Sequence, residues 1–236
     1  MNINVIAHRG ASFLAPRENT LESFNLAIDM GADYIECDVR QTLDKELVIH
    51  HDEKINGKYI SSLTYKELCD EASSMYFKVP LLLDVIRLCK DKIKMDIELK
   101  ESGYEKKVVN MVTSELPYQQ FMMKSFNDNT VAAIKSIDPK IKTGLLLGTS
   151  KGDLKRRFNE YFPERRLMAC NADFVSPHYK LVTLLFVLRM KLKKKEIYVW
   201  LLNNPKSIGK YMKRKVNGII TDKPDAGLFV RKQLTM

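Results

Sequence analysis

Residues 34–39 read Tyr-Ile-Glu-Cys-Asp-Val, and residues 94–100 read Lys-Met-Asp-Ile-Glu-Leu-Lys. Each is a short apolar run with acidic residues at every second position. In a strand, residues i and i+2 project to the same face, so Glu36 and Asp38 stand side by side. Two neighbouring carboxylates repel each other and are costly to bury unless a cation lies between them. A divalent ion answers that cost, and an all-oxygen donor set suits a hard ion, Mg²⁺ or Ca²⁺, over zinc. The second run puts Asp96, Glu98 and Lys100 on one face. Taken alone it could be an internal Glu–Lys ion pair. Beside the first run it reads better as a third ligand, Glu98, with Lys100 as a phosphate partner and Asp96 an interior polar residue.

Outward from these runs, strand-like segments alternate with helical patterns, which predicts an α/β fold with a parallel sheet. Strands are expected at Asn4–His8, Tyr34–Val39, Glu46–His51, Lys94–Lys100, Phe121–Ser125, Thr143–Leu147, Phe174–Ser176, Ile197–Leu202 and Gly218–Thr221. Helices are expected at Thr20–Met30, Thr64–Glu71, Leu82–Asp91, Tyr104–Leu116, Asn129–Ile137 and Pro205–Lys215. The 236 residues suit one lean TIM-type (β/α)8 barrel, so residues 1–236 are read as a single domain. Only Arg40–Lys45 separates the second and third strands, too few residues for a crossover helix. The barrel is therefore expected to be distorted there, by a hairpin-like extension or by a strand outside the wall.

Composition is globular, with 45% hydrophobic and 29% charged residues. The net charge of +10 favours anionic partners. The Lys and Arg are spread along the chain, with a denser run at Arg189–Lys195. No helix-turn-helix, RNP-like or zinc-finger pattern accompanies them, which argues against nucleic acid. The four cysteines form no CxxC pair, suggest no zinc site and imply no disulfide framework. Cys37 is expected to be a buried thiol. The N-terminus lacks a basic, then apolar, leader, and a soluble cytoplasmic protein is the expectation.

His8 ends the first expected strand, and His50 and His51 end the third. Strand termini are where an α/β barrel builds its active site. Imidazoles from two such positions point to acid–base chemistry. Alternation turns His50 away from His51 and leaves it structural. Arg9, next to His8, is placed to grip phosphate oxygens. His178 follows a strand without partners and reads as incidental. Ser125 has no Asp–His pairing to make it a nucleophile.

Together, Ile6-Ala7-His8-Arg9-Gly10-Ala11-Ser12, Glu18-Asn19-Thr20-Leu21-Glu22-Ser23-Phe24, Glu36-Cys37-Asp38-Val39 and Leu47-Val48-Ile49-His50-His51-Asp52 resemble the glycerophosphodiester phosphodiesterase family. The likeness continues through Val79-Pro80, Ile97-Glu98-Leu99-Lys100, Lys124-Ser125-Phe126, Val199-Trp200 with Asn203, and Gly218-Ile219-Ile220-Thr221-Asp222. The resemblance implies a barrel that hydrolyses glycerophosphodiesters, small soluble substrates, to an alcohol and sn-glycerol 3-phosphate. It implies metal ligands Glu36, Asp38 and Glu98 around one Mg²⁺ or Ca²⁺. It further implies catalytic His8 and His51, phosphate-binding Arg9 and Lys100, and Trp200 lining the substrate pocket. The nucleophile is water or the substrate's own glycerol hydroxyl, and the resemblance favours the hydroxyl. His51 is read as acid and His8 as base. Three departures stand out. Arg17 is inserted between Pro16 and Glu18 and either shifts the first loop or adds a charge near the mouth, Leu81 follows Pro80 where the family has threonine, and the stretch Asp52–Val79, which in the family helps shape the substrate pocket, is short.

Two other readings follow. The apolar run Leu181–Leu188 leads into basic residues. It is either an outer barrel helix with a basic end or a segment resting on an anionic membrane, as a lysophospholipase D would use. A catalytically silent phosphodiester-binding barrel ranks below both, because no metal carboxylate or catalytic histidine is missing.

Overall fold

The computed structural model describes residues 3–149 and 154–235. The chain opens with β1 (Asn4–Ala7) and α1 (Leu21–Asp29), then β2 (Tyr34–Gln41). An excursion follows: β3 (Leu47–Ile49), β4 (Lys54–Ile55), β5 (Lys58–Tyr59) and α2 (Tyr65–Ser73), before α3 (Leu82–Cys89) completes the second unit. Regular alternation then resumes with β6 (Lys94–Leu99), α4 (Glu105–Glu115), β7 (Phe121–Ser125), α5 (Asp128–Ile137) and β8 (Thr143–Leu147). Helices α6 (Leu154–Tyr161) and α7 (Glu164–Ala169) lead to β9 (Phe174–Pro177) and α8 (Leu184–Leu192). The chain closes with β10 (Glu196–Val199), α9 (Pro205–Lys213), β11 (Gly218–Thr221) and α10 (Pro224–Thr235).

The strands run β1-β11-β10-β9-β8-β7-β6-β2 in parallel, and β1 pairs with β2 to close the ring. This is the expected eight-stranded TIM barrel. All nine expected strands are present. The surplus one, β3, pairs antiparallel with β2 through Val39 and Ile49, as a hairpin extension beyond the wall.

The helices start where their caps dictate. Thr20 and Ser23 form a reciprocal capping box on α1, and Thr64 and Glu67 form one on α2. Asn204 caps α9, whose first residue is Pro205. Three elements escape the period-based reading. The β4–β5 ribbon turns on Asn56 and Gly57, both at positive φ (47° and 80°), as a two-residue hairpin requires. Neither the α6–α7 pair nor α10 stood out by apolar spacing alone.

Apolar clusters fill the space between sheet and helices on both sides of the barrel. Inside the ring, Ile6, Tyr34, Met122, Phe174, Tyr198 and Ile220 plug the lower half. Gly144 on β8 faces this plug, and a Cβ there would overlap the Phe174 ring. Gly144→Ala is therefore expected to destabilise by about 3 kcal/mol through overpacking. Thermal unfolding would read this as a drop of roughly 6–12 °C. A melting temperature equal to the parent's would mean that the plug has room to shift.

A candidate active site at the rim of the barrel

Above the apolar plug the interior turns polar. The register aligns Glu36 with Asp96, Asp38 with Glu98, and Glu98 with Lys124. The inward faces of β2, β6 and β7 thus stack two charged layers. The lower layer holds Glu36 and Asp96, and the Lys124 side chain, whose backbone is level with Glu98, reaches both; each of the three is at most 2% exposed. Lys124 Nζ lies 2.6 Å from Asp96 Oδ2 and 3.4 Å from Glu36 Oε1. Burial alone would lower this ammonium pKa, but Asp96, Glu36 and Glu98 outweigh it and raise it. Burial pushes Asp96 up to about 6, even with Lys124 opposing.

In the upper layer, one oxygen each from Glu36, Asp38 and Glu98 lie within 4.8 Å of one another. Lys100 Nζ sits 2.8 Å from Glu98 Oε1 and 3.2 Å from Asp38 Oδ1. Arg9 adopts a left-handed backbone (φ 55°) that turns its N–H onto Glu36 Oε2 at 3.1 Å, and its Nε lies 3.2 Å from Asp38 Oδ2. Gly10 (φ 80°) follows, packed so tightly on the Ser23 backbone that a side chain would collide with it. Asn19 Nδ2 donates to Asp38 Oδ2 at 2.8 Å. Burial favours a neutral Asp38, yet Lys100, Arg9 and His51, with the Asn19 bond, together hold it far below the ordinary carboxylate range. Glu98 is driven the other way, up to about 7, by burial and then by the Asp38 charge, against Lys100.

Two features of this arrangement fit a divalent cation. Asp38 Oδ1 is buried and makes no hydrogen bond. Burial and the Asp38 charge also disfavour an ionised Glu98 more than Lys100 and Lys124 favour it, a penalty that a bound cation would relieve. The donors are all carboxylate oxygens, which is hard-ion chemistry.

The histidines reach the same cavity from separate segments. His8 follows β1, and its Nδ1 lies 2.6 Å from Asp222 Oδ1 at the end of β11. Asp222 is itself fixed by Asn203 Nδ2 at 2.5 Å and Ser12 Oγ at 3.0 Å. His51 lies in the β2–α3 excursion, with Nδ1 2.8 Å from Asp52 Oδ1. The Arg40 guanidinium holds the His51 carbonyl with bonds of 3.0 and 2.7 Å. Burial, then Lys100, lowers the His51 pKa below the ordinary histidine value, with Asp38 opposing.

His8, Arg9, Glu36, His51, Glu98, Lys100 and Trp200 all line one cavity of ≈ 140 Å³, together with Lys124 and Phe126. Asp38 meets it from the β2 side through its ion pairs with Arg9 and Lys100. Trp200 is oriented by its Nε1–H bond to the Ser176 carbonyl (2.8 Å) and stands edge-on to Phe126 at 5.8 Å. The structure thus brings all the sequence-selected residues to one end of the barrel.

Strand β3 ends at Ile49, so strand alternation does not itself separate residues 50 and 51. His51 lines the cavity and His50 does not, while both border an outer cleft. Arg17 borders the same cleft. Its guanidinium lies over Phe77 at 4.4 Å and donates to the Met75 carbonyl. His178 packs edge-on to Trp200 at 5.0 Å. Cys37 is fully buried, as expected, and all four cysteines are free. Lys124, Asp222, Asn203 and Asn19 had no role assigned from sequence. Charged or amide side chains at strand ends were the available signal.

The model of the glycerophosphoryl diester phosphodiesterase family matches residues 8–226. A glycerophosphodiester phosphodiesterase of Caldanaerobacter subterraneus subsp. tengcongensis is 29% identical over 251 residues, covering 98% of this chain and 99% of that protein. The crystal structure of a glycerophosphodiester phosphodiesterase from Thermotoga maritima superposes with a TM-score of 0.77 at 25% identity, covering 98% of each chain. An Oleispira antarctica phosphodiesterase, solved in complex with its product sn-glycerol-3-phosphate, shares the fold with a TM-score of 0.82 at 22% identity, over 97% of this chain and 96% of that one. With a match of that span, and its motifs carried to a single rim of the barrel, the chain belongs to the glycerophosphoryl diester phosphodiesterase family.

Proposed function

We propose that this rim hydrolyses glycerophosphodiesters to an alcohol and sn-glycerol 3-phosphate by acid–base catalysis from His8 and His51, with one divalent cation held by Glu36, Asp38 and Glu98. The reading is carried by one observation: two carboxylates, three cationic side chains and two imidazoles line the same cavity, and a third carboxylate, Asp38, has an oxygen within 4.8 Å of the other two. When bound, Mg²⁺ or Ca²⁺ supplies charge neutralisation to the phosphate oxygens.

The chain's own groups do the rest. Arg9 and Lys100 hold the phosphate and stabilise the charge that grows on its oxygens. Their present partners, Glu18 and Asp38 for Arg9 and Asp38 and Glu98 for Lys100, hold both side chains in place. His8 donates Nδ1–H to Asp222, which leaves Nε2 as the proton acceptor. Nε2 takes the proton of the substrate's glycerol hydroxyl, whose oxygen attacks phosphorus and closes a cyclic phosphate. His51 gives its proton to the departing alkoxide. An arriving phosphodiester anion favours the protonated form of His51 that burial disfavours in the free site. Water then opens the ring with the two proton roles exchanged. Trp200 and Phe126 form the apolar wall against the glycerol carbons.

Asp222 positions His8. Asp222→Asn keeps the size but removes the charge that holds the Nδ1–H tautomer. A fall in kcat of about a hundredfold is expected, with KM little changed. An unaltered kcat would remove Asp222 from the mechanism.

The function itself is tested by incubating the protein with glycerophosphocholine, glycerophosphoethanolamine and glycerophosphoglycerol, with Mg²⁺ or Ca²⁺, and measuring released sn-glycerol 3-phosphate. Turnover of lysophosphatidylcholine to lysophosphatidic acid, with the soluble diesters untouched, would replace this reading by a lysophospholipase D.

A further inference from the structure

Helix α8 is apolar on both sides. Phe186, Val187 and Met190 are buried against the barrel. On the other side Leu184, Leu185, Leu188 and Leu192 are 70%, 60%, 55% and 73% exposed. At about 100° per residue these four fall within an arc of roughly 100°, forming one continuous leucine stripe. A surface helix of a globular barrel normally turns its outer face polar.

The neighbouring α9 supplies the charge. Lys206, Lys210 and Lys213 stand one helical turn apart and are all exposed. The segment that leads into α8 is tied to the end of α9 by the Tyr211 hydroxyl, which donates to the Tyr179 carbonyl at 2.8 Å, and by Arg214, which donates to the Val182 carbonyl. Beyond the lysines, Phe229 on α10 is 61% exposed and lines a groove with them.

The charge of the chain is concentrated here. Between Phe174 and Thr221 there are eleven Lys and Arg against a single acid, Glu196. That surplus of ten equals the whole net charge of +10, so the remaining residues balance to zero. The run at Arg189–Lys195 is the visible part of a larger asymmetry.

We infer that the α8–α9 flank docks on an anionic lipid bilayer, the leucine stripe entering the headgroup–acyl boundary and the lysines facing lipid phosphates. Apolar anchors beside a row of lysines, with no acid on either helix, match an interfacial membrane site. A protein partner would need compensating acidic groups and a shaped pocket. The flank begins at Leu184, just past the loop that sets His178 against Trp200. Docking would therefore hold the cavity mouth near the lipid surface. The inference does not depend on the reaction proposed above.

Flotation of the full chain with vesicles tests it. Binding is expected to vesicles of phosphatidylcholine mixed with phosphatidylglycerol, and not to phosphatidylcholine alone. Each lysine near such a surface contributes about fivefold. A Lys206→Ala, Lys210→Ala, Lys213→Ala triple variant should therefore partition about a hundredfold more weakly. Leu184→Gln with Leu188→Gln should also abolish flotation. Neither variant touches the cavity, so both should hydrolyse soluble glycerophosphocholine at the parent rate. Equal binding to neutral vesicles, binding to neither, or undiminished binding of the variants would overturn the proposal. So would light scattering that showed the leucine stripe closing a dimer.

Discussion

His8→Ala and His51→Ala are each expected to lower turnover of glycerophosphodiesters by about three orders of magnitude, the mid-range for removing a general acid or base. An alkoxide is a poor leaving group without a proton, and a glycerol hydroxyl is a poor nucleophile with one. Loss of either imidazole therefore stalls the same step from opposite ends. The fold should survive both changes. His8 and His51 side chains are 16% and 35% exposed and sit on loops above the apolar plug. Circular dichroism should show an unchanged melt, while release of sn-glycerol 3-phosphate nearly ceases. A variant that keeps near-normal rates would be struck from the proton relay. The two losses should also fail to add: the double variant should be little worse than either single one, because the groups act on one step.

Chelation should have an effect of similar size. Treatment with EDTA is expected to take activity below detection, and Mg²⁺ or Ca²⁺ should restore it. The three carboxylates repel one another, and the pKa of Glu98 lies near 7 because burial and Asp38 penalise its charge. An ion that binds only the folded state also stabilises it, by about 2.7 kcal/mol at a hundred times its Kd. The melting temperature should rise by roughly 5–10 °C on that account. Glu98→Gln should lose both the rate and the thermal increment. Full activity in a demetallated sample, or a melt indifferent to the ion, would take the cation out of the proposal.

Much of the fold was legible because a barrel strand is a short apolar run with a fixed period, and nine such runs stand out. The second and third are separated by too few residues for a helix, which left a hairpin-like extension or a strand outside the wall as alternatives; the antiparallel pairing of β3 with β2 decides for the hairpin. The metal-ligand candidates were legible for the same reason. A carboxylate in an apolar strand is expensive, and two at i and i+2 need a shared explanation. What escaped were residues whose meaning lies in partners far along the chain. Asp222 stands 214 positions from His8, and nothing local marks it as that residue's carboxylate. Lys124 looks like a solvent-seeking lysine until the register sets it across from Glu98. The basic flank was legible only in part: the run Arg189–Lys195 beside Leu181–Leu188 stands out, while Lys206, Lys210 and Lys213 belong to a separate segment of the chain.

The excursion between β2 and α3 has a small apolar nucleus of its own, in which Val48, Ile55, Ile60, Leu63, Leu68, Ala72 and Val79 pack apart from the two large clusters of the barrel. It also carries Phe77 and His50 on the outer cleft and His51 over the cavity. Selection can therefore reshape the entrance by repacking this nucleus, lengthening or trimming the module while the ring stays closed. Because the same module carries His51, any such change also shifts an imidazole relative to the phosphate, so a descendant that acquires a new leaving group has to retune its rate along with its preference.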